Sequence, residues 1–161
     1  KVSLVQPEGT SILNAISSEL NNKEMINYDP RADNLSKGQT VVAVIGEYPY
    51  AEGYGDNPTI SLNPFDKAVL QKCYEAGSKV IVIMLSGRPL IISEHIDKWS
   101  GFLAAWLPGM AGEGIADVIF GDHEPTGKLS YSWPKDISQL PLNVGDPDYE
   151  PLFPFGYGLS Y

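Results

Sequence analysis

The order of apolar runs and helix signals along the chain predicts an α/β fold. The expected form is a three-layer α/β/α sandwich on a mostly parallel sheet of about six strands, with an antiparallel edge strand. Three observations carry that expectation. Val41-Val42-Ala43-Val44-Ile45 and residues 80–85 are continuous apolar runs of strand length, the pattern of strands buried on both faces of a parallel sheet. Strand-like runs alternate with loops and helical patterns several times over. No internal repeat, coiled coil or low-complexity segment interrupts the alternation.

In chain order, Thr10 or Ser11 caps a short helix in which Ile12, Leu13, Ile16 and Leu20 share one face. Residues 25–28 read as a strand and residues 29–38 as a polar loop. The run 41–46 is the first buried strand and ends at Gly46. After a long loop, Asn63, Pro64 and Asp66 mark a helix start, with the proline at the first helical position and the acid in the first turn. That helix passes through Phe65, Val69, Leu70 and Cys73 and stops at Gly77. Residues 79–85 form the next strand, and Ser86-Gly87-Arg88-Pro89 a turn. A helix is expected over 89–99, a third buried strand over 102–107, and a helix through Ile115, Val118, Ile119 and Phe120 closed by Gly121. The alternation in 128–133 predicts the antiparallel edge strand, and the proline- and glycine-rich remainder an ordered, irregular tail. The 161 residues are read as one domain, 1–161.

Composition narrows the partners. Hydrophobic residues make up 43% and charged residues 19%, a globular balance. Eleven basic against 20 acidic side chains give a net charge of −9 with no concentrated basic patch, which disfavours nucleic acid and anionic membrane surfaces. No apolar run approaches the roughly 20 residues needed to cross a bilayer. Neutral sugars remain compatible, since hydrogen bonds and aromatic faces recognise them. The single cysteine, Cys73, excludes an internal disulfide and reads as a buried thiol on a helix face. The first residue is Lys1, which suggests a processed or partial chain.

Ligands of open α/β sheets gather at the carboxyl ends of strands. Three segments stand there: 47–57, 86–89 and 107–113. The first is the most unusual, because the twelve residues from Gly46 to Asn57 hold three carboxylates, three tyrosines and three glycines. A loop of this length in a compact domain is usually functional or disordered, and this one is too aromatic for disorder. Glu52 among aromatic walls suits a general acid whose pKa is raised by desolvation. A tyrosine-rich surface loop with solvated acids fits the composition equally well.

A set of ordered motifs adds to this reading. The loop Ala51-Glu52-Gly53-Tyr54-Gly55-Asp56 is followed by Ser86-Gly87-Arg88-Pro89, Trp106-Leu107-Pro108-Gly109 and Gly112-Glu113-Gly114. Then come Phe120-Gly121-Asp122, Pro125-Thr126-Gly127-Lys128-Leu129 and the ending Phe153-Pro154-Phe155-Gly156-Tyr157-Gly158-Leu159-Ser160-Tyr161. Over about residues 10–161 the chain resembles the C-terminal α/β sandwich domain of glycoside hydrolase family 3, nearest the β-glucosidases and exo-β-glucan glucohydrolases.

The resemblance implies a retaining hydrolase of β-linked glucosides or β-glucan oligosaccharides, acting from the non-reducing end. Its aspartate nucleophile would come from an N-terminal (β/α)8 barrel outside this chain, and its acid/base from this domain. The two carboxyl groups would stand roughly 5–5.5 Å apart across the scissile bond. The motif carries the acid/base to Glu52, with Glu47 as runner-up. Tyr48, Tyr50 and Tyr54 become candidate sugar contacts, and Asp56 and Arg88 loop-orienting residues, Arg88 as a partner for Glu47. No metal or organic cofactor is required. The compartment is not legible in the chain; the resemblance favours a secreted or periplasmic protein. A non-catalytic carbohydrate-binding or interaction domain on the same scaffold is the alternative.

Other signals read as structural. Gly109-Met110-Ala111-Gly112-Glu113-Gly114 lacks a Walker lysine and dinucleotide spacing, so a tight strand-to-helix connection is expected. His95 and His123 have no partners at metal-ligand spacing and read as surface or capping residues. Asp146-Pro147-Asp148 lacks the glycine of a calcium loop. Asn34-Leu35-Ser36 is a glycosylation sequon, and Trp106 reads as core.

Overall fold

The computed structural model describes residues 9–20 and 26–161, with Glu52 by its backbone alone. Internal contacts divide the chain into two compact units. One holds residues 29–107 and 127–158; the other holds, among the described residues, 9–20, 26–28, 108–126 and 159–161.

The larger unit is built on three parallel strands, β1 (Thr40–Gly46), β2 (Lys79–Leu85) and β3 (Gly101–Trp106), in the order β1-β2-β3. β1 and β2 pair without a slip from Thr40 opposite Lys79 to Gly46 opposite Leu85, so their carboxyl ends finish side by side. β2 is central, and its apolar run is buried on both faces. Val80, Val82 and Met84 point to one face and Ile83 to the other, all 0% exposed. Between β2 and β3 the register shifts at Met84 and Leu85, and Trp106 ends β3 with φ +53°.

Helix α2 (Pro64–Glu75) covers the sheet with Leu70 and Cys73, both fully buried. It starts as expected, because the Asn63 side chain accepts the Asp66 amide, Pro64 sits in the first turn, and Asp66 complements the helix dipole. Trp133 closes the core, donating its indole N–H to the Leu90 carbonyl at 2.8 Å and packing on Phe102, Trp106 and Phe153.

In the smaller unit, α1 (Ile12–Glu19) packs on α3 (Gly112–Phe120). Ser11 caps α1, accepting the Asn14 amide at 3.1 Å. Gly112 gives its amide to the Thr10 carbonyl at 3.0 Å, and a Cβ there would stand 2.6 Å from that oxygen. Gly112 thus serves the close approach of the chain just before α1, a contact different from the strand-to-helix connection expected of the glycine-rich segment. Gly121 ends α3 in the left-handed region at φ +86°.

The α/β class and the parallel sheet match the expectation, and several elements differ. Three strands, not about six, occur among the described residues. Residues 26–28 are not a strand; Met25 lies outside the described residues. Residues 89–99 are not an α-helix. Leu90 and Ile92 are both fully buried two residues apart, Ile91 bridges to Ser61, and only Ile96–Lys98 turns as a 3-10 segment. The alternation in 128–133 is real, but its partner is the tail. Leu129 bonds Tyr157 and Gly156, and Trp133 bridges Phe153 in antiparallel sense, without joining the sheet. His95 is half-buried, its ring stacked 6.3 Å from Trp99, and burial pushes its pKa down.

Gly46 allows β1 to end against β2, because a Cβ would overlap the Leu85 carbonyl oxygen. Gly46→Ala should therefore cost about 1–3 kcal/mol by forcing the strand ends apart. Chemical denaturation would show this as a lower midpoint with an unchanged slope.

Candidate active site

The site begins where β1 and β2 stop. The Gly46 amide donates to Asp66 Oδ2 at 3.0 Å, and Asn63 Nδ2 donates to the Gly46 carbonyl at 3.1 Å and to Asp66 Oδ2 at 2.7 Å. Both sides of that residue's backbone are thus held by the first turn of α2. Asp66 is buried, and desolvation pushes its carboxyl pKa up against the opposing pull of the Gly46 amide and Asn63.

Glu47 follows immediately. Its amide extends the strand pairing by donating to the Leu85 carbonyl at 2.9 Å. Its side chain is 12% exposed and fully engaged. Arg88 donates to Oε1 through Nε at 3.0 Å and Nη2 at 2.7 Å, and the Tyr50 hydroxyl donates to Oε2 at 3.1 Å. Bonding to Glu47 raises the Arg88 pKa, and burial followed by the Glu47 bond raises that of Tyr50. Arg88 stands on the turn after β2, where Ser86 Oγ donates to the Arg88 carbonyl at 2.8 Å and the Ser86 amide to the Trp106 carbonyl at 3.2 Å.

Beyond this anchor, Glu52–Gly55 form a 3-10 turn closed by the Asp56 amide on the Gly53 carbonyl at 3.2 Å. The side chain that gathers backbone amides at this end of the loop is Asn57's. Its Oδ1 accepts from the Thr59 amide at 3.0 Å, the Thr59 hydroxyl at 2.9 Å and the Ile60 amide at 3.1 Å. Past it, the Ile91 amide donates to the Ile60 carbonyl at 2.8 Å and pins the loop's far end.

Of the residues singled out from the sequence, Glu47, Tyr50 and Arg88 come together as one cluster, with Asp56 near enough to add to the Arg88 shift. Tyr48 and Tyr54 stand apart at 76% and 98% exposure. Sequence reasoning missed Asn57 and the reach of Asn63 and Asp66 back to Gly46. The Asn-Pro-x-Asp pattern showed the helix cap, but a bond twenty residues upstream has no local signal. Among the described residues no group of three or more His, Cys, Asp or Glu side chains could hold a metal ion. Two surface hollows, of about 690 Å³ beside Tyr149 and about 180 Å³ beside His95, are lined by none of the residues 46–57.

Fold and site define a class: an open α/β domain that presents an anchored loop of carboxylates and tyrosines at the carboxyl ends of its parallel strands. The profile of the glycosyl hydrolase family 3 C-terminal domain matches residues 2–161, and the chain belongs to that family. It is 32% identical to a beta-xylosidase of Formosa agariphila, covering 96% of this chain and 26% of the relative. It is 30% identical to a periplasmic beta-glucosidase of Salmonella typhimurium, covering 86% of this chain and 22% of the relative. The chain thus spans about a quarter of the length of these curated relatives. Among solved structures, an exo-1,3/1,4-beta-glucanase from a Pseudoalteromonas species superposes with a TM-score of 0.86 at 38% identity, covering 96% of this chain and 21% of that one. A beta-glucosidase from Listeria innocua superposes at 0.68 and 30% identity, covering 76% and 20%.

Because the folded-state pKa of Asp66 lies above the unfolded one, the folded protein holds this proton more tightly. The resulting stabilisation is full in acid, below the ordinary carboxylate range, and is lost as pH rises through the raised value. Asp66→Asn keeps an acceptor for Gly46 and removes the buried charge. Its melting temperature relative to wild type should rise from pH 3 to pH 7, roughly in step with Asp66 ionisation. Asp66→Ala, which strands two donors, should cost about 1–3 kcal/mol at either pH.

Proposed function

We propose that this chain supplies the general acid/base of a retaining β-glycosidase, with Glu52 as that residue. The nucleophile is assigned to an N-terminal (β/α)8 barrel outside the chain. In this reading Glu52 protonates the glycosidic oxygen as the sugar transfers to the nucleophile, then deprotonates the water that releases it. The substrates are β-D-glucosides or β-glucan oligosaccharides cleaved from the non-reducing end. Family membership and relatives named beta-glucosidase and exo-1,3/1,4-beta-glucanase support that substrate class, and the relative named beta-xylosidase makes β-xylosides the competing substrates. No cofactor enters the mechanism.

The observation that carries the choice within the loop is the engagement of Glu47. One Glu47 oxygen accepts two bonds from the Arg88 guanidinium, which turns it toward the anchor and leaves it no freedom to reach a leaving-group oxygen. A phenol occupies its other oxygen. Glu52 instead opens the 3-10 turn beyond the anchor. Exposed Tyr48 and Tyr54 have free ring faces suited to stacking on a sugar, whereas Tyr50 is engaged within the loop.

The test compares variants of the full-length protein on two substrates. Glu52→Ala should lower kcat/KM on a β-linked glucose disaccharide by about 10²–10⁴-fold and spare an activated aryl β-glucoside, whose leaving group needs little protonation. Glu47→Ala should depress both substrates by similar factors, through loss of loop order. The reverse pattern, disaccharide activity intact in Glu52→Ala and selectively lost in Glu47→Ala, would overturn the assignment.

A further inference from the structure

Tyr50 is wedged between two glycines. A Cβ on Gly55, the last residue of the 3-10 turn, would overlap ring atom Cδ2 and lie 2.8 Å from Cε2 and 3.0 Å from Cγ. On the other side, a Cβ on Gly87 would stand 2.7 Å from the phenolic oxygen. Neither glycine has a backbone angle closed to other residues, so close approach of the ring explains both. The Arg88 guanidinium lies over the ring, 4.6 Å from its centroid, and the hydroxyl is tied to Glu47. The ring therefore touches the 3-10 turn, the turn after β2 and the anchoring carboxylate at once.

We propose that Tyr50 is a positioning residue and not a sugar contact. Its ring is the spacer that sets the separation between the 3-10 turn bearing Glu52 and the Gly87–Arg88 turn, acting through van der Waals contact with Gly55. This rests on the acid/base reading of Glu52. A general acid displaced by a fraction of an ångström loses its aim at the leaving-group oxygen before the protein loses its fold. Tyr50 is 40% exposed, so direct contact with substrate is the rival reading.

The experiment uses the full-length protein with Tyr50→Ala, Tyr50→Phe and Gly55→Ala. Each variant is assayed on the disaccharide and the activated aryl glucoside, and peptides covering residues 51–57 are followed by hydrogen exchange. Tyr50→Ala and Gly55→Ala should lower kcat on the disaccharide by about 10–100-fold, with a few-fold effect on the aryl glucoside and little change in KM. Exchange over 51–57 should quicken by about tenfold in both. Tyr50→Phe keeps the ring and should stay within about threefold of wild type.

An equal rise in KM for both substrates in Tyr50→Ala, with exchange unchanged, would make the ring a sugar contact and overturn the proposal. Wild-type exchange and rates in Gly55→Ala would overturn it as well. Glu52→Ala in the same assays separates the two claims. If it spares the disaccharide while Tyr50→Ala still quickens exchange, the spacer stands and the acid/base assignment falls.

Discussion

The Glu47–Arg88 pair joins the residue immediately after β1 to the turn immediately after β2, and the loop at the sheet's carboxyl end depends on that link. Both side chains are largely withdrawn from water, at 12% and 27% exposure, which costs solvation. A pair in this setting is a weak source of net stability, because an apolar replacement of matched shape often does as well. Two converging Arg88 bonds and a third from Tyr50 instead supply direction. Apolar packing cannot hold one carboxylate in one orientation at the mouth of a sheet. Register makes the link possible: Gly46 opposite Leu85 brings the strand ends level, and the Asp66 and Asn63 bonds keep Gly46 there.

Much of the frame was legible because its signals are local. Residues 80–85 are apolar enough to be central, and β2 contains them. Asn63, Pro64 and Asp66 announced α2 through capping chemistry confined to one turn. Elements whose structure depends on distant partners were not legible. Ile91 pairs with Ser61, which draws 89–99 out of a helix, and Leu129 and Trp133 pair with the tail. Asp66 shows both cases, since its cap is local and its bond to Gly46 is tertiary.

The loop itself was legible as a whole, and its internal division of labour was not. Composition placed three tyrosines and three carboxylates in one stretch without ranking them. Contact separates them. Glu47 and Tyr50 are bonded to each other and Glu47 to Arg88, and Asn57 gathers the amides at the loop's far end. Tyr48 and Tyr54 keep exposed rings. Rigid attachment at both ends with exposed aromatic groups between is the arrangement expected of a loop that meets its ligand on a fixed scaffold.

The central claim is that Glu52, rather than Glu47, is the acid/base working with a nucleophile elsewhere in the full-length protein. The most direct measurement is the product formed with azide from an activated aryl β-glucoside. Azide attacks the sugar–aspartate ester without needing a base: the C–O bond to the aspartate breaks, a C–N bond forms, and the carboxylate leaves. The account predicts that Glu52→Ala yields β-glucosyl azide, identified by the anomeric proton in NMR, and that Glu47→Ala does not. β-Glucosyl azide from Glu47→Ala alone, or the α-anomer from Glu52→Ala, would contradict it.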